Sequence, residues 1–303
     1  MAVTLAQAAA NEADPVRRGA LESAVKVSQV WDRLPFEGIE GNAYAYDKDK
    51  VLPGTAFRTV NEAYIESTGV VNQDTERLSI LGGDADVDRF IQSTFSESTG
   101  VLMAAQVEMK LESAQATFVD AMFNGDVDVN PKGFDGLKKR LVGEQVLDAT
   151  NALDNELFLD DLDLLFAQIQ GGLPDVVYTP STVLPRLKSL GRKVGGAEYI
   201  MSEITGKREW TWNGVPFIDP GEHWSGRRIL ADDPTAGADM FALKFANNFN
   251  EHGVMGITNG GLQAYFLGEL QEKPAYRTRI DFYAGLVTQG GKAAARLRGV
   301  KRA

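Results

Sequence analysis

Cysteine is absent from this chain of 303 residues, and histidine occurs only twice. The lack of cysteine excludes disulfides, thiolate metal sites and cysteine nucleophiles, and it is compatible with a reducing compartment. His223 lies in a turn-like stretch and His252 lies beside Gly253, so neither has the sequence surroundings of a catalytic base. A hydrolase triad is therefore not expected, and no catalytic residue is assigned.

Long hydrophobic runs and linkers are also missing. No run approaches the length of a membrane span, and residues 1–10 lack the charged start and the apolar length of an export leader. The chain has no internal repeat or Ser/Pro-rich linker, and 44% of its residues are hydrophobic, which predicts one large core or two interleaved lobes. Its net charge of -11 argues against tight, sequence-independent binding of the whole chain to nucleic acid.

A long helix is predicted over residues 95–123. Thr94 and Glu97 have the spacing of a capping box, Asn124-Gly125 supplies a stop, and no proline interrupts the stretch. At 1.5 Å of rise per residue the helix would be roughly 43 Å long. Steps of three and four predict a buried face formed by Met103, Val107, Leu111, Ala114, Phe118, Ala121 and Met122, with Lys110, Glu112, Gln115 and Asp120 off it.

A long, polar hairpin is predicted upstream of this helix, within a strand-rich stretch from Gly41 to about Ile91. Residues 42–46 and 76–80 alternate in polarity and predict strands, whereas residues 53–73 mix small and polar types with a few isolated large side chains. A hairpin of this length that buries so little against itself is marginal in water on its own. We therefore expect neighbouring chains to hold it.

The order of these elements, followed by the Gly-Phe-Asp-Gly-Leu segment at 133–137, resembles the major capsid proteins of tailed bacteriophages, whose fold is called Hong Kong 97-like. Later segments at 176–181, 214–218, 239–245 and 277–282 resemble the axial and closing strands of that family. The resemblance implies an α+β fold. Its implied parts are an N-terminal arm at 1–40, an extended loop at 41–93, a peripheral domain with a spine helix at 94–150, an axial domain at 151–261, and a return to the periphery with a C-terminal tail at 262–303.

The resemblance also implies a structural role without enzymatic activity or cofactor. Copies of the chain would form hexamers and pentamers of an icosahedral phage head, assembled in the host bacterial cytoplasm and enclosing double-stranded DNA without sequence-specific binding. A separate scaffolding protein would direct assembly, unless the chain is an already trimmed form, and a portal and a cement protein would be further partners. An encapsulin shell, which has the same fold and encloses cargo enzymes, is the alternative.

Charged segments and crosslinking residues have more than one interpretation. Some family members crosslink an extended-loop lysine, and Lys48 and Lys50 lie in that region, but no crosslinking residue is assigned.

Residues 273–303 carry eight Lys or Arg against one acid, which predicts either a solvated terminus or a basic tail that contacts packaged DNA or an acidic neighbour. The acidic stretch Asp154, Glu156, Asp160, Asp161 and Asp163 predicts a solvated helix face or a partner for that tail.

Asp84, Asp86 and Asp88 are the strongest candidates for chemistry, because alternate residues of a strand share one face. Clustered carboxylates suit hard cations, so a carboxylate-metal enzyme is the alternative of another class. The calcium-loop pattern fails, because Arg89 stands where glycine is needed and Phe95 where glutamate is needed. An exposed strand face paired with arginines is the competing interpretation.

Two further motifs are assigned no binding role. Residues 285–292 imitate a phosphate loop, but the glycine spacing is wrong and Ala293 replaces the required hydroxyl residue, so nucleotide binding is rejected. Aromatic pairs two residues apart are typical of one packed strand face, as at Tyr44 with Tyr46 and Trp210 with Trp212.

Overall fold

The computed structural model describes residues 28–94, 99–149, 159–194, 197–201, 208–233, 236–249 and 251–301. Within these residues the architecture is α+β. The helices are α1 (Arg89–Thr94), α2 (Thr99–Asn124), α3 (Leu137–Arg140), α4 (Leu159–Ala167) and α5 (Leu184–Val194). The strands are β1 (Phe36–Gly38), β2 (Ala43–Val51), β3 (Val70–Arg77), β4 (Ser79–Asp88), β5 (Val146–Asp148), β6 (Val176–Tyr178), β7 (Ala197–Met201), β8 (Arg208–Trp212), β9 (Val215–Ile218), β10 (Asp232–Asp233), β11 (Gly237–Leu243), β12 (Gly253–Glu269), β13 (Ala275–Gln289) and β14 (Ala294–Val300).

The predicted long helix is present as α2, and its predicted end at Asn124 is confirmed. The predicted start at Phe95 lies outside the described residues, while Thr94, the predicted cap, ends the short helix α1, and its hydroxyl donates to the Phe90 carbonyl at 2.8 Å. Glu97, the other half of the predicted capping box, lies outside the described residues. Gln115 was predicted off the buried face but is only 1% exposed, because the segment containing Trp31 covers that side of the helix.

A four-stranded sheet packs against α2. Its strand order is β1-β12-β13-β4, in which β1 runs parallel to β12 and the other pairs are antiparallel. An aromatic cluster joins sheet and helix, with Phe118 of α2 lying 5.6 Å from both Phe36 and Phe282 between ring centroids. Trp31 lies 5.2 Å from Phe118 and from Phe282. Residues upstream of the first sheet strand therefore complete this core.

A larger sheet forms the second half of the molecule, with the order β5-β14-β11-β6-β9-β8-β7 and with β10 beside β11. Its separate core contains Leu162 and Leu165 of α4, Leu187 of α5 and the side chains of Trp210 and Phe217. The strands expected at 176–181, 214–218, 239–245 and 277–282 are all present.

The two halves interleave along the chain. The expected boundary between residues 261 and 262 falls inside β12, and β14, which was assigned to the returning segment, pairs with β11 in the larger sheet. The segment at 133–137 returns to the end of α2, where the Gly136 amide donates to the Gly125 carbonyl at 2.9 Å. A Cβ on Gly136 would lie 2.6 Å from the Ala121 carbonyl oxygen, so this approach requires glycine.

Candidate functional site: a protruding arm and its anchor

Strands β2 and β3 form a two-stranded arm of their own. The predicted strand at 42–46 is confirmed by β2, whereas the predicted strand at 76–80 is divided at Leu78 between the end of β3 and the start of β4. Strands β2 and β3 pair antiparallel from Ala43 with Arg77 to Val51 with Val70, and among the described residues this pair joins neither of the two larger sheets. The connecting residues 52–69 are all exposed and contain no helix or strand. These connecting residues therefore contribute nothing to the core, whereas Tyr46 at the base of β2 is buried in it.

The outer part of the arm, which we call the arm tip (residues 51–71), exposes large apolar side chains. Phe57 is fully exposed, and Leu52 and Ile65 are each 82% exposed. The apolar residues of this surface are Val51, Leu52, Phe57, Val60, Tyr64, Ile65, Val70 and Val71. Clustered apolar exposure of this kind marks a surface that binds another macromolecule.

Local contacts shape the arm tip without burying it. Both the amide and the hydroxyl of Thr59 donate to Glu62, at 3.0 and 2.9 Å, and the guanidinium of Arg58 lies 4.9 Å from the centroid of the Tyr64 ring. The Ser67 hydroxyl donates to the Gly54 carbonyl at 2.6 Å, which ties the two sides of the loop together. The loop is thus locally ordered while its apolar side chains face solvent.

The base of the arm is anchored by a buried ion pair between Arg140 of α3 and Glu76 of β3. Their side chains are 10% and 16% exposed, and the two terminal nitrogens of the guanidinium each donate to one carboxylate oxygen, Nη1 to Oε1 and Nη2 to Oε2, the latter at 2.8 Å. Arg140 Nε also donates to the Asp135 carbonyl at 2.5 Å. Such bidentate pairing fixes orientation as well as distance, so the arm leaves the body in a defined direction.

Two stacked tyrosines complete the anchor. Tyr44 and Tyr46 stack with ring centroids 6.1 Å apart, as predicted for one packed strand face, and Tyr44 also stacks on Phe249 at 4.3 Å. The Tyr46 hydroxyl donates to Glu76 Oε1 at 3.4 Å. Burial raises the pKa of Tyr46 to about 12, and the negative charge of Glu76 adds to that rise. Tyr46 therefore stays neutral at physiological pH.

The three predicted carboxylates lie on β4, and two of them, Asp84 and Asp86, face cations on β13 or just before it. Asp86 accepts from Arg277 Nε at 2.7 Å and from Lys273 Nζ at 2.5 Å, and Asp84 accepts from Arg279 Nε at 2.8 Å. These hydrogen bonds hold the pKa of Asp86 and of Asp84 below the ordinary value. Asp88 instead accepts from the Phe90 amide at 2.7 Å and caps α1.

This arrangement, which we call the ion-pair ladder, fits the interpretation of an exposed strand face paired with arginines. Both oxygens of Asp84 and both oxygens of Asp86 contact a cationic nitrogen. Among the described residues, no group of three or more His, Cys, Asp or Glu side chains is arranged to hold a metal ion. A metal function for Asp84, Asp86 and Asp88 stays a prediction, and the geometry lends it no support.

Replacing Asp86 with asparagine is expected to lower the free energy of unfolding at pH 7 by about 1 kcal/mol or less, because partly exposed pairs contribute little. An aspartate with a lowered pKa contributes stability above its unfolded value of 3.8 and loses it as the pH falls below that value. The difference from wild type should therefore shrink towards pH 2. Urea unfolding midpoints at pH 7 and pH 2.5 measure it, with Asp163→Asn as the control, and equal midpoints at pH 7 would contradict the prediction.

The prediction of a basic tail is wrong for most of its residues, because these lie in or next to strands β13 and β14 and form ion pairs with aspartates. Arg296 pairs with Asp239 and Arg298 pairs with Asp148, both at 2.7 Å. The residues of that set engaged in ion pairs are Lys273, Arg277, Arg279, Arg296 and Arg298, while Arg302 lies outside the described residues.

The predicted acidic helix face is only partly solvated. Asp160 and Asp163 of α4 are exposed as expected, but Asp161 is buried, because α4 packs against β14. Asp154 and Glu156 lie outside the described residues.

The remaining candidate residues, two tryptophans and two histidines, lie in a packed core, in a turn or against the backbone. Trp210 and Trp212 are both buried in the second core, which confirms the predicted packed strand face. His223 lies in an exposed turn, with Nδ1 2.9 Å from the Ser225 hydroxyl, and the ring of His252 packs against Gly290. None of the helices in the described part of the chain is long and apolar enough to cross a membrane.

Comparison with solved structures identifies the fold. The sequence matches no protein-family model and no curated protein. An encapsulin complex from Synechococcus elongatus PCC 7942 matches with a TM-score of 0.67 at 17% identity, covering 91% of this chain and 89% of that one. The capsid of a native GTA particle matches with a TM-score of 0.65 at 14% identity, covering 92% and 91%.

A structure of Microbacterium phage Oxtober96 also matches, with a TM-score of 0.61 at 12% identity and 90% coverage of each chain. The chain therefore has the Hong Kong 97-like fold shared by phage major capsid proteins and encapsulins. The predicted α+β fold class is confirmed.

Proposed function

We propose that this protein is a structural shell protein whose copies assemble as hexamers and pentamers into an icosahedral phage head enclosing double-stranded DNA. The arm carries this proposal, because its base is fixed to the body while its tip exposes apolar side chains that its own chain leaves uncovered. A structure of this kind stabilises contacts between copies better than it stabilises one chain.

The length and chemistry of the arm suit a contact with a neighbouring copy. At about 3.3 Å per residue, a strand of nine residues such as β2 is roughly 30 Å long, and its first part lies against the body. Covering one large apolar side chain contributes about 1.5–3 kcal/mol. Several such side chains lie on each arm tip, so contacts that are weak individually become strong when every copy in a shell repeats them.

The proposed organisation is the one that the family resemblance implies. Residues 1–40 act as the N-terminal arm, 41–93 as the extended loop, 94–150 as the peripheral domain and 151–261 as the axial domain. A separate scaffolding protein, a portal and a cement protein are proposed partners, with assembly in the host bacterial cytoplasm and final location in the virion. No crosslinking residue is assigned; Lys48 and Lys50 both lie in β2.

An encapsulin shell is the second candidate, and the match to the Synechococcus elongatus encapsulin complex favours it. The two functions differ in what the shell encloses. Purified particles that contain double-stranded DNA support the phage head, whereas particles that contain a co-purified enzyme and no DNA support the compartment.

The first experiment is to purify the chain and measure particle mass by light scattering and particle shape by negative-stain electron microscopy, alone and with a candidate scaffolding protein. Closed shells, or rings of five and six copies, are expected. A strictly monomeric protein under both conditions would overturn the proposed function, and the carboxylates of the ion-pair ladder would then be the first site to test for enzymatic activity.

A further inference from the structure

Residues 28–34, which we call the seam segment, join the two halves of the molecule. Trp31 of this segment packs on the aromatic cluster between α2 and the four-stranded sheet. Two residues further on, Arg33 reaches the larger sheet and pairs with Glu209 of β8, with Nη2 2.5 Å from Oε2. A change in the seam segment therefore alters how the two halves are held together.

Asp32 lies between these two anchoring residues and is buried without adequate hydrogen bonding. The residue is 4% exposed, and within the described part of the chain no donor lies within hydrogen-bond distance of its Oδ1 atom. Oε1 of Glu209 also lacks a donor among the described residues. An ionised carboxylate in such surroundings is unfavourable, because burial removes water and no described group replaces the hydrogen bonds that Oδ1 would accept from it.

Three groups face Asp32 from the elements packed around it. Arg33 of its own segment attracts the ionised form, and Glu209 of β8 repels it. The third is the hydroxyl of Tyr178 on β6, which is fully buried and whose pKa is raised by that burial, so it carries no charge at physiological pH. One guanidinium thus acts on two carboxylates in a site with little access to water.

We propose that the seam segment is a proton-sensitive contact, which holds the two halves together more tightly when Asp32 carries a proton than when it is ionised. Protonation removes the negative charge that burial disfavours and ends the repulsion between Asp32 and Glu209. It also leaves the ion pair between Arg33 and Glu209 without a competing carboxylate.

The direction of the pH dependence follows from the pKa of Asp32. Burial raises this pKa from 3.8 to about 6, with Arg33 lowering it and Glu209 raising it. The folded state therefore binds the proton more tightly than the detached segment does. The added stability is complete below pH 3.8 and is lost as the pH rises through about 6. Between pH 5 and pH 7.5, the equilibrium constant for detaching the segment should rise about tenfold.

Hydrogen exchange measured by mass spectrometry on the full chain tests this inference. Exchange over residues 28–36 at pH 5 and pH 7.5, corrected for intrinsic chemical exchange, gives the opening constant of the seam segment. The wild type should show the tenfold rise, and Asp32→Asn should show less than a twofold change, because asparagine cannot ionise. Asp84→Asn is the matched control and should keep the tenfold rise, because the pKa of Asp84 is shifted downwards.

The inference would be overturned if the opening constant of Asp32→Asn depended on pH as in the wild type. It would also be overturned if the opening constant of the wild type did not change with pH. A purely structural role for Asp32 would change the opening constant by the same factor at both pH values, which also contradicts it. If Asp32→Asn fails to fold, Glu209→Gln provides the second test. Because Glu209 repels ionised Asp32, the opening constant of Glu209→Gln should change with pH at lower pH values than in the wild type. An unchanged pH dependence would overturn the inference.

Discussion

Replacing Phe57 and Ile65 together with serine is expected to abolish shell formation while leaving the unassembled chain as stable as the wild type. Both side chains lie on the arm tip and are almost fully exposed, so their removal costs the fold of one chain very little. In an assembled shell the same two side chains would be covered by a neighbouring copy. Their loss would remove about 3–6 kcal/mol per contact, which is a factor of roughly 10²–10⁴ in the affinity of each contact.

Light scattering and electron microscopy measure assembly of this variant, and urea unfolding measures the stability of its unassembled form. Val129→Ser is the matched control, because Val129 is a comparably exposed apolar residue in the turn after α2. The control should assemble like the wild type. Shells formed by the double serine variant at wild-type protein concentration would show that the arm tip is not the assembly contact.

Replacing Arg140 with methionine is expected to lower the free energy of unfolding by about 3–5 kcal/mol, because it leaves the buried carboxylate of Glu76 without its partner. The double variant with Glu76→Gln should recover part of this loss, because no uncompensated charge then remains. The anchor of the arm would be lost in both variants. Both should therefore assemble poorly even where the chain still folds.

Urea unfolding of the wild type, the two single variants and the double variant gives the interaction energy of the pair. Arg298→Met is the matched control, because Arg298 pairs with Asp148 at 2.7 Å in an exposed position where an ion pair contributes about 1 kcal/mol or less. A loss for Arg140→Met as small as that of the control would show that the anchor does not stabilise the fold.

Local patterns in the sequence predict the elements whose structure depends on their own residues. The stop at Asn124-Gly125 ends α2 where expected, residues 43–46 lie in β2, and residues 76–80 lie in β3 and β4 except for Leu78 between them. The lack of apolar neighbours in residues 53–73 agrees with their exposure, although residues 70–73 belong to β3 and not to the loop. These features need no information from distant parts of the chain.

Residues whose surroundings come from distant segments were predicted less well. Gln115 is polar and lies off the apolar stripe, yet Trp31, which precedes it by 84 positions, covers it. The basic residues from Lys273 onwards predict either a solvated terminus or a basic tail, but the register of β13 against β4 places Arg277 beside Asp86. The spacing of residues along the sequence does not determine which residues of β13 and β4 lie opposite each other.

The seam segment was missed altogether, although its sequence contains a signal. Asp32 and Arg33 lie within a stretch that is otherwise apolar or aromatic from Val30 to Phe36. Charged residues inside such a stretch are rarely buried unless they are paired. The partner, Glu209, is 176 positions away on β8, so its identity could be found only from the fold.

The strand order also governs when a newly made chain can fold. Arg277 and Asp86 of the adjacent strands β13 and β4 are separated by 191 positions. Strand β5 pairs with β14, and Asp148 of β5 lies 150 positions before its partner Arg298. Pairing over such separations is slow and cannot begin until the later strand has left the ribosome. Until then β4 and β5 lack the strands that pair with them and are open to contacts with other nascent chains. The order of synthesis therefore delays completion of both sheets until β14, which ends at Val300, has been made.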